Sequence, residues 1–96
     1  EIHEAFAGQV LCTLKAWESP EFCRERLGRS EALGKIDRAK MNTVGGSIAL
    51  GHPLGCSGVR ISTTLLHEMK REKIKYGLAA MCVGVGQGAA IIYEGR

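Results

Sequence analysis

The chain has 96 residues, 45% of them hydrophobic and 24% charged, and a formal net charge of +3. That length holds one hydrophobic core or part of one, and the balance of apolar and charged side chains excludes a disordered chain. So small a positive excess makes no case for a nucleic-acid partner, and no apolar run approaches the roughly 18–20 residues of a membrane-spanning helix.

In chain order, Phe6, Val10, Leu14 and Trp17 recur at helical spacing and predict a first helix with those four side chains on its buried face. Ser19-Pro20 breaks it, and Pro20 suits the first turn of a second helix over about 20–27, stopped by Gly28. From Gly28 to Lys40 charge dominates, as on a solvated excursion. From Asn42 to Gly58 the chain becomes glycine-rich and almost uncharged, which reads as a rigid loop built for close approach of a ligand or another chain. Pro53 keeps His52 out of the helical region. Ser57 is placed to cap a helix running to about Lys73, with Ile61, Leu65, Leu66 and Met69 as its buried stripe. Lys70, Arg71, Lys73 and Lys75 then complement the dipole at its end, with no anionic partner needed. Residues 76–83 read as a strand buried on both faces, and 88–94 as a second strand after a glycine turn. The order helix, loop, helix, strand, strand is that of an α/β unit.

Nine of the thirteen glycines fall between Gly45 and Gly88, but Gly84-x-Gly86-x-Gly88 is not a dinucleotide loop. Its spacing is wrong, and the β-prone residues that follow offer no helix N-terminus to a phosphate. Cys12, Cys23, Cys56 and Cys82 include no C-x-x-C pair. No metal site is expected, and the thiols read as reduced, in an intracellular compartment.

Three side chains remain as candidates for chemistry: His3, His52 and Cys82. His52 lies in an uncharged glycine-lined loop just before a helix. Cys82 ends a strand and runs straight into a glycine turn with free backbone N–H groups. An imidazole can withdraw a proton from a thiol near neutral pH, a thiol exchanges with thioesters, and backbone N–H groups can hold an oxyanion. Together these are parts for acyl transfer to sulfur.

At these residues the chain resembles the thiolases. His3-Glu4-Ala5-Phe6-Ala7, the block Gly45-Gly46-Ser47-Ile48-Ala49-Leu50-Gly51-His52-Pro53-Leu54-Gly55-Cys56-Ser57-Gly58, and Cys82-Val83-Gly84-Val85-Gly86-Gln87-Gly88 are similar to three successive blocks of that family. The resemblance runs from His3 to Tyr93. It implies a thiolase-like fold, in which 1–96 is the later, incomplete part of a C-terminal βαβαββ domain. It also implies acyl exchange with coenzyme A as co-substrate, no permanently bound cofactor, and thiolytic cleavage of 3-ketoacyl-CoA to acetyl-CoA and a shortened acyl-CoA in fatty-acid β-oxidation.

The roles implied are specific. His52 activates the nucleophilic cysteine and contributes to an oxyanion hole. Cys82 is the acid/base thiol that protonates the departing acetyl-CoA carbanion. The Gly84 N–H helps form a second oxyanion hole, and His3 stands where most members have an Asn that anchors a water. The His3 block and residues 21–29 resemble thiolase subunits of the multienzyme β-oxidation complex, which implies a mitochondrial home and either a homo-oligomer or a hetero-oligomer with a hydratase/dehydrogenase subunit. Residues 54–57 and 83–88 are closer to the general degradative and biosynthetic branches, which leaves peroxisomal and cytoplasmic locations as alternatives.

The family's nucleophilic cysteine lies upstream of the His3 block, and none of Cys12, Cys23 or Cys56 matches it. The missing initiator Met and the abrupt opening likewise read as a segment of something longer. These 96 residues alone are therefore expected to be inactive. The alternatives are a non-catalytic acyl-CoA- or partner-binding module, and a segment of an acetoacetyl-CoA-forming biosynthetic enzyme.

Overall fold

The computed structural model describes residues 1–96. Helix α1 (Ala7–Glu18) buries Val10 and Leu14, one turn apart, with Trp17 half-buried below them. Phe6, expected on the same face, is 75% exposed. It precedes the first helical turn in an extended conformation, so the helical period does not carry its side chain inward.

Ser19 ends α1 and starts α2 (Pro20–Leu27), accepting a hydrogen bond from the Phe22 N–H at 3.2 Å. Gly28 closes α2 in the left-handed conformation, and Cys23 on the inner face is completely buried against the carbonyls of Ala16 and Trp17. The charged stretch that follows is largely exposed and contains one 3-10 turn, Arg38–Lys40, capped by Asp37.

Asn42 then straps the chain back to its beginning. Its side-chain amide accepts from the Ile2 N–H at 2.7 Å and donates to the Ile2 carbonyl at 2.8 Å, as a neighbouring strand would. The glycine-rich block is not wholly a loop, for Ser47–Leu50 forms a single-turn helix, α3. Gly46 before it touches Glu4 so closely that a Cβ would collide with that carboxylate.

Helix α4 (Ser57–Glu72) is amphipathic, with Ile61 and Met69 buried and Leu65 half-buried; Leu66, expected in the stripe, lies 45% exposed at its margin. Cys56 occupies the N-cap position without a side-chain cap, and Ser57 is the first helical residue. The expected serine cap is therefore absent, because the Ser57 hydroxyl is engaged by His52.

Strands β1 (Tyr76–Gly84) and β2 (Gln87–Glu94) form an antiparallel hairpin, with Ala79 opposite Ile91 and Cys82 opposite Gly88. Residues 1–3 lie parallel to the other edge of β1. They are fixed by bonds from the His3 N–H to the Ala80 carbonyl (2.9 Å) and from the Ala80 N–H to the Glu1 carbonyl (3.0 Å). Gly77, Ala79 and Met81 share the face toward α4: Gly77 abuts Met69 and Leu65, and Met81 lies against Gly58. Of β1 only Ala79 is fully buried and β2 is almost wholly exposed, so the expectation of burial on both faces does not hold. One helix, α4, packs on one face, while α1 lies over the other across a cavity and touches it where Gln9 meets Cys82.

Candidate active site

Two neighbouring parallel segments end at the same edge of the sheet. The parallel bridge between Ile2 and Ala80 sets His3 and Cys82 side by side, just beyond the bridge and toward the end of β1. Both residues line one cavity of about 280 Å³, roofed by Gln9, Val10, Thr13 and Trp17 of α1. The Cys82 thiol, half-buried, points its Sγ at the Gln9 Oε1 3.7 Å away. A bulge at Val83 and a tight turn through Val85 (φ +47°) and Gly86 (φ +74°) follow at once.

His3 is only 3% exposed. Its Nδ1 lies 2.7 Å from the Ser47 Oγ, and the same oxygen accepts a hydrogen bond from the Arg60 guanidinium at 3.0 Å. Arg60 in turn pairs with the Glu1 carboxylate at 3.0 Å. Burial holds the His3 imidazole below the usual histidine range, with His52 and Arg60 pushing the same way and Glu4 opposing. His3 is thus a neutral ring at neutral pH.

His52 stands edge-on to His3, with ring centroids 4.3 Å apart at 63°. Its Nδ1 bonds the buried Ser57 hydroxyl, which orients the ring from the start of α4. Each imidazole is therefore held by a serine that opens a helix, Ser47 for His3 and Ser57 for His52. The structure brings His3, His52 and Cys82 into one neighbourhood, although His52 reaches the cavity only across His3. Gly84 (φ +97°) is exposed at the mouth of the hairpin, outside the cavity lining. Cys12 and Cys56 are exposed, Cys23 is buried between α2 and the end of α1, and none of the three lines the cavity. The cavity therefore presents one thiol and the His3 imidazole, with the His52 ring packed behind His3.

Residues 1–95 match the family model described as "Thiolase, C-terminal domain". The chain belongs to the thiolase family. Over 94 residues it is 49% identical to a 3-ketoacyl-CoA thiolase of Serratia proteamaculans, covering 98% of this chain and 22% of that one. A probable 3-ketoacyl-CoA thiolase of Caenorhabditis elegans is 46% identical over the same length, of which this thiolase segment spans 21%. The crystal structure of the Bacillus anthracis acetyl-CoA acetyltransferase superposes with a TM-score of 0.67 at 38% identity, over 95% of this chain and 19% of that one. The chain thus spans about a fifth of the length of these thiolase relatives, and its α/β architecture is that of a thiolase.

Sequence reasoning passed over Ser47, Arg60 and Gln9. Arg60 carried a signal, since it is the one charged residue between Gly45 and Leu66. A lone guanidinium in an apolar stretch calls for a buried partner.

Proposed function

We propose that this segment serves a 3-ketoacyl-CoA thiolase in fatty-acid β-oxidation, cleaving 3-ketoacyl-CoA with coenzyme A to acetyl-CoA and a chain-shortened acyl-CoA. The observation that carries the reading is the single cavity on which Cys82 and His3 open, with His52 packed against His3. An acceptor thiolate attacks the 3-keto carbon, the C2–C3 bond breaks, and its electron pair leaves on C2 as the enolate of acetyl-CoA. Cys82 supplies the proton that C2 takes up. Coenzyme A thiol then takes the acyl group from the enzyme sulfur, returning a proton to the site. His52 withdraws the proton of the acceptor thiol and holds the thioester oxygen of the enolate, and the neutral His3 supplies a further polar contact there. The Gly84 N–H, at the exposed mouth of the hairpin, serves the acyl carbonyl, with the acyl group laid along the Val83 bulge.

The acceptor thiol is none of Cys12, Cys23 or Cys56, since none shares the cavity. It belongs to polypeptide beyond these 96 residues, in keeping with the length of the relatives. Coenzyme A is a co-substrate here, no group is bound permanently, and acyl-CoA thioesters are the substrates. Assembly with a hydratase/dehydrogenase subunit in mitochondria follows from the form of the His3 block. The acetoacetyl-CoA-forming direction is the second reading, favoured by the likeness to the acetyl-CoA acetyltransferase fold.

The test is thiolysis of a 3-ketoacyl-CoA by a polypeptide that joins this segment to the nucleophile-bearing part. Cys82→Ser should lower kcat by about 10²–10⁴-fold, the usual worth of a positioned general acid. Unchanged turnover in that variant would overturn the role of Cys82. The 96 residues alone should show no steady turnover, because losing the nucleophile of a cooperating set costs on the order of 10⁶ in rate.

A further inference from the structure

The hydroxyl of Ser47 has two polar neighbours and no third. Arg60 can only donate to it, at 3.0 Å, while the Nδ1 of His3 at 2.7 Å can either donate or accept. Were Nδ1 to carry the proton, the Ser47 oxygen would accept from both sides and its own O–H would be stranded in a site 4% exposed, at the cost of an unmade buried hydrogen bond. If Nδ1 is bare, the chain runs in one sense: guanidinium to serine oxygen, serine O–H to Nδ1. The cation also polarises the hydroxyl and strengthens that donation. Arg60 is itself fixed by Glu1, whose side chain is 4% exposed, so the relay is anchored at its far end.

We propose that Arg60, acting through Ser47, is a positioning residue that fixes His3 in the tautomer with its proton on Nε2. The ring that lines the cavity then has its Nδ1 occupied and its Nε2 protonated, so that it can donate a hydrogen bond and has no bare nitrogen left to act as a base. This assignment gains its catalytic meaning from the acyl-transfer reading above, in which a neutral donor beside Cys82 serves a thioester oxygen or a water. It leaves base chemistry to His52, whose own Nδ1 is taken by Ser57.

The tautomer can be read without any turnover. The chain has three histidines, and exposed His67 on α4 serves as an internal reference. In long-range ¹H–¹⁵N spectra of the full chain labelled at histidine, Nδ1 of His3 should resonate further toward the bare-acceptor extreme than Nδ1 of His67. Its Nε2 should appear protonated. Ser47→Ala, which removes one oxygen and leaves the Glu1–Arg60 pair in place, should abolish that displacement while the His52 signals keep their folded positions. The double variant Glu1→Gln/Arg60→Met should weaken it, and an undiminished displacement there would overturn the role of Arg60; should that variant unfold, Arg60→Lys, which keeps the charge paired with Glu1 but loses the second nitrogen that reaches Ser47, is read in the same way. A protonated Nδ1 in the unsubstituted chain, a His3 pattern like that of His67, or a displacement that survives Ser47→Ala would each overturn the proposal. Thiolysis is assayed separately: the tautomer bias without thiolysis sinks the acyl-transfer reading alone, and thiolysis without the bias sinks only the role of Arg60 and Ser47.

Discussion

His3 is the residue in which local structure and chemistry are most tightly joined. Its backbone completes a parallel bridge to β1, and its ring is packed between Ser47 and His52 with almost no exposure to water. Burial depresses its pKa in the folded chain, so on acidification the unfolded chain takes up the proton first. Stability should therefore rise with pH from the folded pKa of His3 up to the unfolded value of about 6.5 and gain nothing from this group above it. Urea midpoints measured across that window should climb in the parent chain and climb less in His3→Asn, which has no proton to bind; equal slopes would mean that burial of His3 is not what the folded state resists. At this scale His52 and Cys82 stood out by their settings, an imidazole in an uncharged glycine loop and a thiol ending an apolar strand, whereas His3 stood out only through the family resemblance. Ser47 gave no such sign and Arg60 only its lone charge, because their roles arise from contacts that cross from the glycine-rich block to residues 1–3 and to α4.

Among the elements, those closed by local chemistry were the legible ones. Ser19-Pro20 and Gly28 bracket α2 at the residues read from the sequence, and β1 and β2 fall within a residue of their expected bounds. Elements made by tertiary pairing escaped notice. The bridge at Ile2 is too short to show a period, and α3 is one turn held by its surroundings. The hairpin turn carries a local conflict. Val85 sits at φ +47° and is 93% exposed, so a β-branched residue holds a left-handed conformation with little packing to compensate. Turns with positive φ at both central positions favour Asn-Gly. Val85→Asn should stabilise the chain by about 1 kcal/mol, a rise in Tm of roughly 4–8 °C for a domain of this size. A Tm that falls in calorimetry would show that Val85 is held by a contact worth more than its strain.

For the whole molecule, the burial pattern sets the limit on independent stability. Only ten of 96 residues are buried, while Ile91, Ile92, Val83 and Leu11 are all at least 46% exposed. The α/β layering was legible from the order of elements, but the one-sided cover of the sheet within these 96 residues was not, since an apolar run reads alike whichever of its faces a helix covers. The outer edge of β2 has no strand partner in the sheet, and from Gln87 to Tyr93 it carries no charge to discourage pairing. The 96-residue chain should therefore self-associate across the micromolar range, with a sedimentation coefficient that rises with concentration. Ile92→Lys puts a charge on that strand at a site already 71% exposed, so it removes little packing and should shift the population toward monomer. A parent chain that stays monomeric would mean that the exposed apolar surface is too dispersed to bind itself, and association unchanged by Ile92→Lys would move the contact from the β2 edge to the apolar rim of α1, where Leu11→Lys is the corresponding variant.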